Sequence, residues 1–213
     1  MKTRKIRTAL YNVLPGEKAH ALMAPRPKYI EGIEGVHPYP PVNSAILALI
    51  VPFENELALP LIKRVNRGKY HGGQIAFPGG KMEKEDADAL QTALRECHEE
   101  IGVPEEKVSI LGVLSDIYIP LSNFNITPIV GTTLQLPDFI LSQDEVEKVI
   151  LVKLRDLFDD RNKTTHSFVR HDHKIIAPGY KIGENFIWGA TAMIIAELEQ
   201  LMKTNTFNHL GKL

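Results

Sequence analysis

Cysteine is almost missing: Cys97 is the one thiol in 213 residues. A single cysteine excludes an internal disulfide and predicts a reducing, cytoplasmic setting. An excess of either charge is also missing. The 25 basic and 26 acidic residues leave a net charge of -1, so no global field draws the chain to nucleic acid or to an anionic membrane. Long apolar runs are lacking too. The longest, residues 45–53, is far too short to cross a bilayer. The basic start (Lys2, Arg4, Lys5, Arg7) is not followed by the apolar stretch of a signal peptide. Neither nucleic acid nor membrane is therefore expected as a partner, and any polyanion must be held by a local cluster.

What is present suits a soluble globular protein, 44% hydrophobic and 24% charged, long enough to bury a real core. Residues 2–14 read as an amphipathic helix with Ile6, Leu10, Val13 and Leu14 on one face, ended by Pro15-Gly16. Residues 24–41 hold Pro25, Pro27, Pro38, Pro40 and Pro41, the composition of an extended wrapping segment. The expected division is an N-terminal helix and wrapping segment, 1–41, before a main domain, 42–213.

Residues 42–53 and 57–64 read as a hairpin. Residues 86–101 read as a helix whose inward stripe is Leu90, Leu94, Cys97 and Ile101. Asp86 and Asp88 sit near its start, where a carboxylate suits the helix dipole, and Gly102 ends it. Strand-like runs follow at 107–119, 124–134, 146–153, 165–170 and 173–177, then a helix over 189–203 with Ile194, Leu198 and Leu201 inward. This order predicts an α/β fold, a mixed sheet covered by helices.

The chemistry concentrates in Gly79-Gly80-Lys81-Met82-Glu83 and in Arg95-Glu96-Cys97-His98-Glu99-Glu100-Ile101-Gly102. Glu96 and Glu100 are one helical turn apart and project side by side, with Glu99 on the next strip. Three carboxylates so close repel one another, and a hard divalent cation removes that cost. Oxygen ligands suit Mg2+ or Mn2+, which also bind substrate phosphates. Arg95, one turn before Glu99, is placed to steady that carboxylate. A solvated acidic face is the plainer reading of the glutamates alone; the Gly-Gly turn and the spacing turn the balance toward a metal site.

The same residues resemble the signature of the Nudix hydrolases, a glycine followed by a helix carrying Arg-Glu-x-x-Glu-Glu-x-Gly. Arg95, Glu96, Glu99, Glu100 and Gly102 match it. Asp86 replaces the usual first glutamate, and eight residues rather than seven separate it from Arg95. That departure resembles the branch that hydrolyses coenzyme A. The branch marker, an arginine, a second basic residue, a glycine and then Phe-Pro-Gly-Gly, is matched by Arg64, Lys69, Gly73 and Phe77-Pro78-Gly79-Gly80, with lysine standing where arginine is usual. Ile187-Trp188-Gly189-Ala190-Thr191-Ala192 resembles the start of the family's last helix.

The resemblance implies an α/β/α sandwich around a mixed sheet and a Mg2+- or Mn2+-dependent pyrophosphohydrolase. It implies Glu96, Glu99 and Glu100 as metal ligands and Arg95, Glu99 and Glu145 as catalytic candidates. Arg64, Arg67, Lys69, Gly79 and Gly80 are the substrate-binding candidates. The implied substrate is a nucleotide of the coenzyme A type, cut to 3′,5′-ADP and 4′-phosphopantetheine. Another nucleoside diphosphate derivative, ADP-ribose or NADH, is the alternative within the same chemistry, and a homodimer is left open. A nucleotide-binding regulatory module without catalysis is the alternative of another class, and the intact carboxylate set counts against it. The base that activates water is either Glu99 or a loop carboxylate, Glu145 or Glu147. His171-Asp172-His173 reads as an exposed hairpin rather than a metal site, Cys97 as a packing residue, and Trp188 as packing for the last helix.

Overall fold

A computed structural model of the protein describes residues 2–26, 39–66, 73–170 and 173–207. The centre is a long hairpin. Strand β1 (Val42–Phe53) turns through Glu54 and Asn55, both at positive φ (48° and 61°), into β2 (Glu56–Arg64). Two successive left-handed residues match the twist of the flanking strands. Strand β1 also runs parallel to β7 (Phe124–Thr132), in register from Val42↔Phe124 to Ile50↔Thr132. Strands β5 (Ser109–Val113) and β6 (Ile117–Ile119) pair antiparallel with β7, and β8 (Val146–Lys153) pairs antiparallel with β2. Two short strands, β3 (Ile75–Ala76) on β2 and β4 (Gly79–Lys81) on β1, bring the glycine-rich segment to the middle of this mixed sheet. The remaining strands, β9 (Lys163–Arg170), β10 (His173–Ile182) and β11 (Asn185–Trp188), form a separate antiparallel sheet.

The period-2 pattern of β1 decides what lies on each face. Ala45, Leu47, Leu49 and Val51 pack with Ala93, Leu94, Cys97 and Ile101 of helix α3 (Ala89–Ile101). Ala48 and Ile50 point the other way, into a core shared with Ile194, Ile195 and Leu198. Those three belong to the last helix, Ala190–Phe207. Ile6 of α1 (Lys2–Leu10) and Met23 of α2 (Glu17–Met23) join this second core. The result is an α/β/α sandwich. Between β8 and β9 lie the short helix α4 (Leu154–Leu157), which makes the last helix α5, and a 3-10 turn, Asp160–Asn162.

Four expectations shift. The first helix stops at Leu10 rather than 14, and Val13 is 97% exposed. A second helix, α2, follows the Pro15-Gly16 break. It is pinned by a buried carboxylate, because Glu197 of α5 accepts from Gly16 N (3.0 Å) and contacts His20 Nε2 (2.9 Å). The run at 107–119 splits into β5 and β6 opposite Pro128, which has no N–H to continue the ladder. There Leu114 N bonds to Pro128 O, and Ser115 Oγ leaves the sheet to bond Glu197 Oε1 at 2.6 Å. The helix expected at 86–101 starts at Ala89, so Asp86 lies in the loop before it.

Among the described residues no helix is long and apolar enough to cross a membrane.

Candidate active site

The site is built where β4 meets α3. The helix begins at Asp88, whose side chain accepts from Gln91 N at 2.9 Å, while Gln91 Oε1 accepts from Ala87 N at 2.7 Å. This reciprocal cap fixes the helix entry. It ends at Gly102 (φ 72°), whose N–H bonds back to His98 O. Between these ends the inward stripe locks the helix rotation against the sheet. The three glutamates therefore fall at graded depths: the side chains are 57% exposed at Glu99, 14% at Glu96 and 1% at Glu100.

The two glycines let the strand backbone reach these carboxylates. Gly79 sits at φ 155°, and a Cβ there would lie 2.4 Å from Ala45 O. Its N–H donates to Glu100 Oε2 at 2.9 Å. A Cβ on Gly80 would lie 2.3 Å from Glu96 Oε1, so the Glu96 carboxylate rests directly on that residue.

Arg95 holds the acidic group together. Its Nε and Nη2 grip Asp86 at 3.0 and 2.9 Å, while Nη1 donates to Glu96 Oε1 (3.0 Å) and Glu99 Oε2 (3.1 Å). Nη2 also reaches Lys81 O at 3.2 Å. Asp86 is buried and accepts further from Thr92 Oγ1 and Glu83 N. The guanidinium beside it holds its carboxyl far below the usual carboxylate range. Asp86 is thus an anchor for Arg95 rather than a helix-dipole charge, and Arg95 orients carboxylates.

Arg64 and Glu145 arrive from the other side. A register shift between Lys63 and Arg64 at the end of β2 re-aims the side chain, as bulges do. Arg64 Nη1 lies 3.1 Å from Glu100 Oε1, and Nη2 lies 3.9 Å from Glu145 Oε2. Glu145 is brought there by a loop that caps the C-terminus of α3. Ile140 N bonds to Ile101 O, Ser142 N to Glu100 O, and Val65 N to Glu145 O. Burial pushes the Glu100 carboxyl up to about 7, against the opposing pull of Arg64 and the Gly79 N–H, with Glu96 and Glu145 adding to the rise. Glu96 is raised as well, first by burial, with the hydrogen bond from Arg95 opposing.

The sequence candidates thus divide. Arg64, Gly79, Gly80, Arg95, Glu96, Glu99, Glu100 and Glu145 are brought together. Arg67 and Lys69 lie outside the described residues. Glu147 is engaged elsewhere, by Lys63 Nζ at 2.7 Å. Cys97 is buried, its thiol pushed up to about 12 by desolvation, which suits a packing residue. Trp188 meets Phe168 edge-on at 4.9 Å. Residues 171–172 lie outside the described residues, between strands that pair up to Arg170↔His173. The anchor role of Asp86 was missed; its one trace in sequence is an acid just before the Arg95 helix.

The model of the NUDIX domain matches residues 43–171. The chain belongs to the Nudix hydrolase family. A protein of Enterobacter sp. (strain 638), described as an uncharacterized Nudix hydrolase NudL, is 34% identical over 161 residues, 74% of this chain and 82% of its own length. The NudL of Pectobacterium atrosepticum is 35% identical over 158 residues, 73% of this chain and 80% of that one. A Nudix hydrolase structure from Nitrosomonas europaea superposes with a TM-score of 0.50 at 21% identity, covering 82% of this chain and 76% of that one. RenU of M. smegmatis gives a TM-score of 0.50 at 13% identity, covering 82% and 90%. These structures share the Nudix sandwich. The chain is accordingly a Nudix pyrophosphohydrolase, acting on phosphorus anhydrides in nucleoside diphosphate derivatives.

Nudix hydrolases generally use a divalent cation, typically Mg2+. The donor set fits one: the residues offer hard carboxylate oxygens, and Glu100 Oε1 is buried without a hydrogen bond. In this conformation no three His, Cys, Asp or Glu side chains converge as a cation cage among the described residues. The carboxylates are instead engaged by cationic side chains: Arg95 bonds Glu96 and Glu99, and Arg64 stands at Glu100.

Proposed function

We propose that this Nudix hydrolase cuts the pyrophosphate bond of coenzyme A or its derivatives, giving 3′,5′-ADP and (acyl-)4′-phosphopantetheine. The observation that carries the reading is the union of two sequence features at one place. The Arg64…Phe77-Pro78-Gly79-Gly80 pattern meets the box helix through Gly79 N–Glu100 Oε2 (2.9 Å) and Arg64–Glu100 (3.1 Å). The pattern is the one that resembles the coenzyme A branch, and it lies against the acidic helix itself.

Glu96, Glu99 and Glu100 are the residues that would hold the cation, which when bound supplies charge neutralisation and polarisation of a phosphoryl oxygen. The chain's own groups do the rest. Arg95, anchored by Asp86, holds the Glu96 and Glu99 carboxylates through a single guanidinium nitrogen. Glu145, half-exposed beside the buried glutamates, is the base that takes a proton from the attacking water, with Glu99 as the competing candidate. Arg64, with Arg67 and Lys69 on the following segment, neutralises the diphosphate and the 3′-phosphate of the substrate. Burial of Glu100 and the Gly79 contact fix the floor of the site, so that water and phosphorus meet in a set geometry.

Incubating purified protein with Mg2+ and coenzyme A, ADP-ribose or NADH, and identifying products by chromatography, tests the reading. Release of 3′,5′-ADP from coenzyme A, faster than turnover of the other two, supports it. No 3′,5′-ADP alongside good hydrolysis of ADP-ribose overturns the coenzyme A assignment and leaves a hydrolase of another nucleoside diphosphate.

A further inference from the structure

Glu100 poses a problem of access. Its Oε2 is taken by the Gly79 N–H at 2.9 Å. Its Oε1 has less than 1 Å² of solvent contact and no hydrogen bond, and its one ionic partner among the described residues is Arg64 Nη1 at 3.1 Å. A buried carboxylate needs a counter-charge, and here a guanidinium supplies it. A cation approaching from solvent meets that guanidinium first, because the Arg64 side chain is 31% exposed while Glu100 is 1% exposed.

Arg64 has somewhere to go. It is the last residue of β2, at a register shift, and is bonded along its backbone to Gln74 O and Gly73 N, so its Cα is fixed while its side chain is long. Its second contact, Glu145 Oε2 at 3.9 Å, is loose and lies toward solvent, with Glu145 54% exposed. Among the described residues the guanidinium is thus held closely on the inner side and only loosely on the outer side.

We propose that Arg64 is a built-in counter-ion that occupies Glu100 until a divalent cation arrives, and that cation entry turns it outward toward Glu145 and the substrate diphosphate. One residue then couples cation loading to phosphate binding. Two positive charges cannot share the same buried carboxylate at low cost, so loading releases Arg64 in the direction from which an anionic substrate comes. This rests on the reading above that Glu100 is a metal ligand.

The experiment is Mn2+ titration by calorimetry, with thermal melting of the metal-free protein, on wild type, Arg64→Gln, Arg64→Lys and Glu100→Gln, all without substrate. A merely structural arginine lowers stability and metal affinity together. The counter-ion role moves them in opposite directions. Arg64→Gln is expected to melt lower without metal yet bind Mn2+ tighter by about fivefold, the order of one partly exposed ion pair. Arg64→Lys, which keeps the charge, falls between and covers the case in which Arg64→Gln does not fold. In turnover with coenzyme A, Arg64→Gln raises KM more than it lowers kcat. Equal or weaker Mn2+ binding in both Arg64 variants, with weakened binding in Glu100→Gln, overturns the counter-ion role and leaves the metal reading standing. Unchanged Mn2+ binding in Glu100→Gln overturns both.

Discussion

Replacing Asp86 by asparagine removes one charge from a place with no solvent to compensate. The Asp86 side chain is 2% exposed and its Arg95 partner 22%. Breaking a buried pair from one side costs about 3–5 kcal/mol when the remaining charge is orphaned. Arg95 is not orphaned, because Glu96, Glu99 and Lys81 O still accept from it. The substituted side chain also retains an oxygen for the Glu83 N–H, but its amide turns a donor toward the guanidinium. The expected loss is therefore about 2–4 kcal/mol. At about 2–4 °C per kcal/mol for a chain of this size, melting falls by roughly 4–16 °C. Because Arg95 is what orients Glu96 and Glu99, turnover falls by about ten- to a hundredfold, as for other residues that steady metal ligands.

The pH dependence separates this from a generic core defect. Arg95 depresses the Asp86 carboxyl, so its contribution is complete above the ordinary carboxylate range and is lost only as acid drives a proton onto it. The gap between wild type and Asp86→Asn should stay constant above about pH 5 and narrow progressively below about pH 4, closing only well under the ordinary carboxylate range. Chemical denaturation at a series of pH values reads both. A gap under about 0.5 kcal/mol, the scatter of inert surface changes, together with full turnover would refute the anchor role.

Other expectations concern the glutamates. Burial, helped by Glu96 and Glu145 and opposed by Arg64 and the Gly79 N–H, raises the Glu100 carboxyl from 4.5 to about 7; the metal-free fold favours its protonated form, so stability declines as pH rises across that interval. Mn2+ affinity climbs over the same interval, since the cation needs the ionised group, and both trends weaken in Glu100→Gln, where the raised Glu96 remains. Glu100→Gln also loses most activity while its circular dichroism stays native. Gly80→Ala drives a methyl into the Glu96 carboxylate, 2.3 Å away in the present geometry; Mn2+ affinity and kcat drop at least tenfold while melting shifts by only a few degrees. Gly79→Ala, by contrast, meets strand backbone at 2.4 Å and is expected to yield little folded protein on expression.

Much of this was legible in the chain because it is local. The stripe Leu90, Leu94, Cys97, Ile101 fixes a helix and its rotation, and rotation alone places Glu96 beside Glu100. The β1–β2 hairpin and the mixed sheet covered by helices follow from the same short-range rules; the α/β/α layering came with the family resemblance, and the expected Gly-Gly turn is the strand β4. What escaped depends on distant partners. Arg64 meets Glu100 across 36 residues, a pairing created by a bulge and by the loop that caps α3. Helix α2 was invisible because seven residues make too short a period; it exists through Glu197, far along the chain. The last helix shows the converse effect. It is buried almost all round, with Glu197 and Glu199 inside, so no polar stripe marked its outer face.

The central claim is that one helix of this Nudix hydrolase presents carboxylates to a divalent cation that bridges protein and diphosphate. The most direct measurement is calorimetric titration of Mn2+ into wild type and Glu99→Gln/Glu100→Gln, with and without a non-hydrolysable diphosphate nucleotide. Stoichiometric uptake by wild type, tightened by the nucleotide and abolished in the double variant, is the predicted result. Uptake that survives the double substitution unchanged would contradict it.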